Sequence, residues 1–555
     1  MPKNKLSAVL FDFDGTLTVP GLLDFPKIRA ALRCPDNETI LEYINSLPDA
    51  ERREANRILE EFEMEAAQQA VPNARAIEVL NFLKSKQIPF GIITRNRYSM
   101  VLRSLEKFEG IRREDFAVIL SRDDSYAPKP DPEGIQVAAA RMGVPVEEVL
   151  VVGDFRYDIQ AGERAGAITA LLTNGDPDHG SGCSPDYRLS DLEEVEGLIR
   201  RLLPLPPGKL PNELLGPLLS GLRSTDPSLL IGPDVGQDAA AALLPADQDV
   251  LVLKSDPITF TVDELGYYAV VVNANDLVAA GAVPRWFLAT LLMPPGSTAE
   301  QAGDHLQTMD QTCRQLGISL CGGHTEITPA VNQPVVSGCL AGTVARTALL
   351  RKENASEGDR VLLTKGVSVE GTSILAREFA SELARLGVPE DRLEKCRRFL
   401  FDPGISVVTE GRLAIETGSV VGMHDVTEGG LATALEELSL ACRHRVRVRT
   451  DRIPVFPETR DLCALIGLDP LGLIGSGSLI IICPSGRTGD LEAKIREAGI
   501  AVCEIGEVGE PGTGVEATDQ NGKRVPWPRF EADEITRVET QLASRKSRPR
   551  GESVD

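Results

Sequence analysis

Six side chains in the first 160 residues have the types and spacing to handle a metal ion and a phosphoryl group. Asp12 and Asp14 stand two apart in FDFDGTLT. On a strand, period-two alternation points both carboxylates to one face, with Phe13 packing the other way. Two acids at a strand tip suit a hard divalent cation such as Mg²⁺. Either carboxylate, ionised at neutral pH, is also a nucleophile for phosphorus. By itself DFDG also reads as a strand-to-turn junction with solvated acids. Further elements narrow the choice. Thr94, in GIITRN, offers a hydroxyl to a phosphoryl oxygen, and Lys129 sits between prolines in APKPDP, which hold its ammonium where negative charge develops. Asp154 and Asp158 follow the strand EVLVVGD and are suited to gripping the metal.

A second set lies beyond residue 230. GPDVGQDAAAALL places Asp234 and Asp238 among small residues that let backbone approach a ligand, although the same pattern also makes an ordinary turn. Lys254 and Asp256 follow in VLKSDPIT, and Asn273, Asn275 and Asp276 in VVNANDLVAAGAVP. His324 and Glu326 stand in CGGHTEIT, and His424, Asp425 and Glu428 in MHDVTEGGL. Oxygen donors dominate, which favours Mg²⁺ over a transition metal. The two histidines lack a companion at zinc-ligand spacing and read as polar site or core residues. Asn273 and Asn275 either face a ligand or cap a helix beginning near Asp276.

The elements that must hold these groups follow from the rest of the chain. Its 555 residues exceed one ordinary core and imply two or more domains. A net charge of −23 argues against a nucleic-acid binder, and 5 % aromatic residues give little support to a stacking platform. None of the ten cysteines forms a C-x-x-C pair, so neither a zinc ribbon nor a thioredoxin-type site is readable. No apolar run reaches the roughly 18 residues of a membrane helix, and MPKNKLSAVLFDFDG is too short in apolar length for a secretory signal. A soluble cytoplasmic protein is expected. Strand-like runs at 8–14, 89–95, 116–121, 148–154 and 168–173 alternate with amphipathic helices, the rhythm of an α/β doubly wound parallel sheet. A helical insert at about 18–72 interrupts it as a small cap would. Five prolines within 202–217 read as a semi-rigid linker. Beyond it, strands at 249–256, 333–344, 360–366 and 477–483 alternate with helices near 264–281, 299–316, 370–386 and 429–443, an α+β mixture. The end, SRKSRPRGESVD, reads as a frayed terminus, with a basic acid-binding tail as the alternative.

In order and spacing, Asp12-x-Asp14-Gly-Thr, Thr94, Lys129 and Gly153-Asp154-x-x-x-Asp158 resemble the four motifs of the haloacid-dehalogenase-like hydrolases. The resemblance implies Asp12 as nucleophile forming an aspartyl-phosphate and Asp14 as general acid, then base. Thr94 and Lys129 would bind the phosphoryl group, and Asp12, Asp14 and Asp154 would bind Mg²⁺ with Asp158 in support. An acid two positions after the nucleophile suits a phosphatase, whose leaving alcohol needs a proton.

The second half resembles the aminoimidazole-ribonucleotide-synthetase-like superfamily through GQDAAA, KSDPIT, NANDLVAAGAVPRW, GGHTE, LLTKGVSVEGTSILA and MHDVTEGGL, and among its members the hydrogenase-maturation dehydratases most. That resemblance implies two α+β halves, the first dimerising through its strands. It also implies an ATP–Mg²⁺ site formed by Asp238, Asp256, Asn275, Asp276 and Glu326, with Gly429 and Gly430, after Asp425, shaping the second half's share. Departures matter as well. Gln237 stands where a second acid is common, residues 213–238 hold no cysteine, and the last cysteine is Cys503, ahead of an end reading Gly551-Glu552-Ser553-Val554-Asp555.

The expected organisation is therefore a phosphatase domain at 1–200, a linker at 201–217, synthetase-like halves at 218–345 and 346–515, and a C-terminal extension at 516–555. The expected function is a Mg²⁺-dependent phosphomonoester hydrolase joined to an ATP-dependent synthetase or dehydratase-like module acting on a small molecule. The alternatives are a carbamoyl dehydratase acting in trans and a phosphatase gated by nucleotide binding without turnover. Partners would be a phosphorylated small molecule, ATP and a second copy of the chain, with no nucleic acid and no membrane.

Overall fold

The computed structural model describes residues 5–35, 38–176, 182–205, 208–222, 226–231, 241–259 and 261–538. The chain divides into two compact units, Met1–Pro207 with Pro295–Ala302, and Gly208–Pro294 with Gly303–Asp555. Among the described residues no helix is long and apolar enough to cross a membrane.

In the first unit six short strands form one sheet: β1 (Ala8–Phe11), β2 (Phe90–Ile93), β3 (Val118–Leu120), β4 (Val149–Gly153), β5 (Ile168–Leu172) and β6 (Tyr187–Leu189). Their order is β3-β2-β1-β4-β5-β6, and every pair is parallel. Helices cover both faces, which is why β1, β2, β4 and β5 are buried end to end rather than alternating. Val9 and Phe11 pack with Leu80, Leu83 and Leu198 on one face, and Ala8 and Leu10 with Ile135, Ala138 and Ala161 on the other. The strand order reverses direction beside β1, where open α/β sheets leave a crevice for ligands at the carboxyl edge. The apolar run at 8–14 is shorter as a strand than its pattern predicts. Extended pairing stops at Phe11, because the chain must turn at Gly15, whose φ is +86°.

Three helices lie between Thr18 and Pro72, whose backbones pair as an isolated bridge: α1 (Phe25–Leu32), α2 (Ile40–Ser46) and α3 (Asp49–Gln68). They bury a small core of their own, built on Ile28, Leu32, Ile44, Ala55 and Leu59.

In the second unit a five-stranded sheet runs Val250–Ile258, Val335–Val344, Val283–Met293, Ser319–Ile327, Gly208–Lys209. Only Val283–Met293 and Ser319–Ile327 pair in parallel, and they are joined through helix Ala299–Leu316 as a parallel connection requires. A seven-stranded sheet runs Gly422–Asp425, Leu479–Cys483, Arg360–Thr364, Val502–Pro511, His444–Arg449, Val515–Thr518, Arg524–Val525.

Two boundaries differ from the sequence reading. The proline stretch does not behave as a linker throughout. Helix Leu192–Leu202 runs into it, Gly208–Lys209 pairs with Glu326 and Ile327, and helix Asn212–Ser220 begins inside it with Pro217 near its end. Nor is 516–538 an appendage. Val515–Thr518 and Arg524–Val525 close the seven-stranded sheet, and buried Asp533 accepts hydrogen bonds from the backbone N–H groups of Gly429, Ile474 and Ile535. Residues 539–555, with the basic tail, lie outside the described residues.

Glu370 is an unusual core residue. It is fully buried, its Oε2 accepts from the Ser476 N–H at 3.2 Å, and its Oε1 has no hydrogen-bond partner. Burial pushes its pKa up to about 7. The folded state then holds a proton that the unfolded chain releases near 4.5, so stability falls as pH rises between those values. Glu370→Gln, which keeps the shape without the charge, should therefore raise the melting temperature at pH 8, by up to roughly 3 kcal/mol of stability, and change it little at pH 4.5. Equal shifts at both pH values would contradict this assignment.

Candidate functional site

At the carboxyl edge of the first sheet the backbone N–H of Asp12 donates to the Val152 carbonyl at 2.8 Å, bringing the ends of β1 and β4 together. Lys129 lies between them, 4 % exposed. Its Nζ donates to Asp12 Oδ1 at 2.5 Å, to Asp158 Oδ1 at 2.5 Å and to the Ile93 carbonyl at 2.9 Å. Burial works against this ammonium, but the charges of Asp12 and Asp158 outweigh it and hold the pKa above the ordinary lysine range. Burial also holds the Asp12 pKa well above the carboxylate range. Lys129 opposes that shift, and the negative charges of Asp158, Asp154 and Asp14 add to it.

Asp12, Asp154 and Asp158 each offer a carboxylate oxygen within 4.8 Å of the others. Hard oxygen donors at this spacing fit a divalent cation such as Mg²⁺. Gly15 makes the approach feasible, since a Cβ there would collide with the Asp154 carboxylate. Gly153 does the same beside Asp158. Asp14 stands apart from this triplet. Its Oδ2 accepts from Asn96 Nδ2 at 3.2 Å, and burial raises its pKa against that hydrogen bond. Thr94 is buried at the end of β2, and its Oγ1 accepts from the Asn96 N–H at 3.0 Å. Asp12, Asp14, Thr94, Lys129, Asp154 and Asp158 all line one cavity of about 380 Å³, walled on its outer side by residues of α1, α3 and the start of α2.

Sequence reasoning missed the groups that hold this site in place. Asn96 ties Thr94 to Asp14. Asn174 donates to the Gly15 carbonyl at 2.8 Å and Asn73 to the Thr16 carbonyl at 3.0 Å, pinning the turn after β1. Arg122 forks onto Glu63 of α3 through two bonds of 2.8 Å, anchoring the helical insert over the cavity. Only the Asn two residues after Thr94 had a sequence signal, as a polar residue just past a strand tip.

The second constellation is partly assembled. Lys254 Nζ lies 3.0 Å from Asp256 and 3.2 Å from Asp276. Burial, then the charge of Asp425, pushes the Asp276 pKa up to about 7. Asp425 closes strand Gly422–Asp425, is buried, and leaves its Oδ2 without a hydrogen-bond partner. Such an orphaned carboxylate oxygen beside Asp276 fits a cation–nucleotide ligand better than a closed core. Asn275 does not join this group. Helix Leu265–Ala279 begins well before it, so neither Asn273 nor Asn275 is a cap. Asn275 donates to the Ile405 carbonyl at 2.9 Å and accepts from the Val407 N–H at 2.9 Å, while Asn273 accepts from the Asp256 N–H at 3.0 Å. Glu326 is also separate. Two strands lie between its strand and that of Asp256, roughly 14 Å at ordinary strand spacing, and it pairs instead with His324 at 3.3 Å. His424 contacts Glu437 at 3.0 Å. Gly429 and Gly430, with φ of +79° and +61°, open helix Gly430–Cys442. Asp234, Gln237 and Asp238 lie outside the described residues.

Comparison with known proteins matches the same division. A model of haloacid dehalogenase-like hydrolases matches residues 26–172. The N-terminal and C-terminal domains of AIR synthase related proteins match residues 236–344 and 356–517. A haloacid dehalogenase-like hydrolase domain-containing protein of Arabidopsis thaliana is 32 % identical over 223 residues, 37 % of this chain and 88 % of that protein. A putative hydrogenase expression/formation protein of Methanocaldococcus jannaschii is 27 % identical, covering 49 % of this chain and 79 % of its own length. The carbamoyl dehydratase HypE of Cupriavidus necator is 28 % identical, covering 50 % and 78 %. The Lys129-centred acids and the carboxylates around Lys254 thus sit in regions matched by different families, and the chain belongs to the haloacid dehalogenase-like hydrolases through its first domain and carries behind it both domains of an AIR synthase related protein.

Proposed function

We propose that the first domain is a Mg²⁺-dependent phosphomonoester hydrolase working through an aspartyl-phosphate on Asp12. The observation that carries this reading is the contact of Lys129 with Asp12 and Asp158 at the base of a cavity that Asp14 and Thr94 also line. In the first step a carboxylate oxygen of Asp12 attacks phosphorus, and the bond from phosphorus to the alcohol oxygen breaks. Asp14, whose raised pKa favours the protonated form, gives the departing oxygen its proton. In the second step Asp14 takes a proton from water, the water oxygen attacks phosphorus, and the Asp12–phosphorus bond breaks to release phosphate. Lys129 and the Thr94 hydroxyl bind the phosphoryl oxygens throughout. Asp12, Asp154 and Asp158 would hold Mg²⁺, which supplies charge neutralisation at those oxygens when bound.

The second module, in this reading, binds ATP with Mg²⁺ at Asp256, Asp276 and Asp425 beside Lys254. There it activates an oxygen of a small molecule by phosphorylation, as its similarity to the hydrogenase-formation and carbamoyl dehydratase proteins suggests. Leu251 and Leu253, 48 % and 64 % exposed on the outer strand Val250–Ile258, support pairing of two copies of the chain through that strand.

Three measurements test these assignments. Phosphate release from p-nitrophenyl phosphate should require added Mg²⁺ and fall at least about a thousandfold in Asp12→Asn, the scale expected when a nucleophile is removed. Equal rates in the two proteins would remove Asp12 as nucleophile. For the second module, Asp276→Asn should weaken ATP binding by about tenfold or more in isothermal titration, one lost charge contact at a metal–nucleotide site. Unchanged affinity would misplace the site, and a monomer mass by light scattering in the same samples would remove the strand pairing.

A further inference from the structure

Apart from Arg122 and from Arg29, which donates to the Pro35 carbonyl at 2.7 Å, the cavity of the first domain carries two cations that the hydrolytic chemistry leaves unused. Arg95 follows Thr94 directly, Arg156 opens the helix after β4, and both line the same cavity as Asp12. Their guanidinium carbons lie 5.6 Å and 5.1 Å from the centre of the Tyr157 ring. Neither forms an ion pair with any described residue, in contrast to Arg122, whose charge is matched by Glu63. The Nε of Arg95 is buried without a hydrogen-bond partner. Two like charges held on one ring, with a donor left unsatisfied, cost free energy unless an anion completes the set. Leu23, Phe25, Ile40 and Leu41 present an apolar wall to the same cavity.

Building on the reading of this domain as a phosphomonoester hydrolase, we propose that Arg95 and Arg156, mounted on Tyr157, form a second anion subsite. The substrate is then a small phosphomonoester with a compact apolar body and a second anionic group, a carboxylate or a further phosphate. The planar fork of a guanidinium suits either group through paired N–H bonds, and the apolar wall of the insert accommodates the body between the two anions. The arginines act in recognition and not in bond breaking, so their effect falls on the choice between substrates.

A matched series separates these roles: phenyl phosphate, 4-carboxyphenyl phosphate and 1,4-phenylene bisphosphate, each assayed for kcat/KM with wild type, Arg95→Gln and Arg156→Gln. Wild type should prefer one or both doubly anionic compounds over phenyl phosphate by about tenfold or more, the value of one charge-assisted contact. Each arginine variant should reduce that preference at least about fivefold on the same scale. Because the readout is a ratio within one preparation, loss of folded protein cancels. Preference for the carboxylate or the bisphosphate identifies the second group. Equal kcat/KM for all three compounds, or a preference unchanged in both variants, overturns the subsite and leaves the hydrolase reading standing. Absence of any hydrolysis that depends on Asp12 overturns both.

Discussion

A buried ammonium between two buried carboxylates is the constraint on which the first domain depends. Burial in this crevice and the nearby negative charge of Asp158 both favour the neutral form of Asp12. Lys129 opposes that pull on Asp12 and binds Asp158 and the Ile93 carbonyl as well, so a single charge ties together β1, β2 and the helix after β4. The neighbouring design follows from the same need. Glycine at positions 15 and 153 leaves room for the Asp154 and Asp158 carboxylates beside the backbone. Asn73 and Asn174 fix the turn that carries Asp14, satisfying carbonyls that the turn would otherwise strand.

The sheet makes this arrangement possible because all six strands run in one direction and the order reverses beside β1. Loops from β1, β2, β3 and β4 then converge at one edge without any strand contributing more than its tip. The helical insert adds the outer wall, held down by the Glu63–Arg122 fork. The second unit solves a comparable problem differently. Lys254 and Asp256 come from a strand, Asp276 from a helix and Asp425 from the other sheet's edge strand. Asn275 acts structurally, bonding backbone groups of Ile405 and Val407.

Much of this was legible from residue order. Asp12, Thr94 and Asp154 each directly follow an apolar strand pattern, where a charged or hydroxyl residue is a local signal, and Lys129 is marked by the prolines on either side. The α/β rhythm and the helical insert were readable for the same reason. What stayed hidden depends on contacts between distant segments. Nothing around Glu63 announces that Arg122 will meet it, and nothing around Arg95 announces Tyr157. Asn275 misled because an amide in a polar-looking motif reads alike whether it faces a ligand or a backbone. The grouping of Glu326 with Asp256 failed because strand order within a sheet is not written in either segment. The proline stretch misled as well, since a two-residue pairing and a helix tolerating Pro217 near its end leave little local trace.

The central claim is that Asp12 carries the phosphoryl group between substrate and water. Acid quenching during steady-state turnover of p-nitrophenyl phosphate, followed by borohydride reduction and peptide mass analysis, reads this directly. Reduction of an acyl phosphate converts the aspartate to homoserine, so the account predicts homoserine at position 12 and intact aspartate at positions 14, 154 and 158. Unmodified Asp12 in enzyme quenched while releasing phosphate, with homoserine formed at another position, would contradict it.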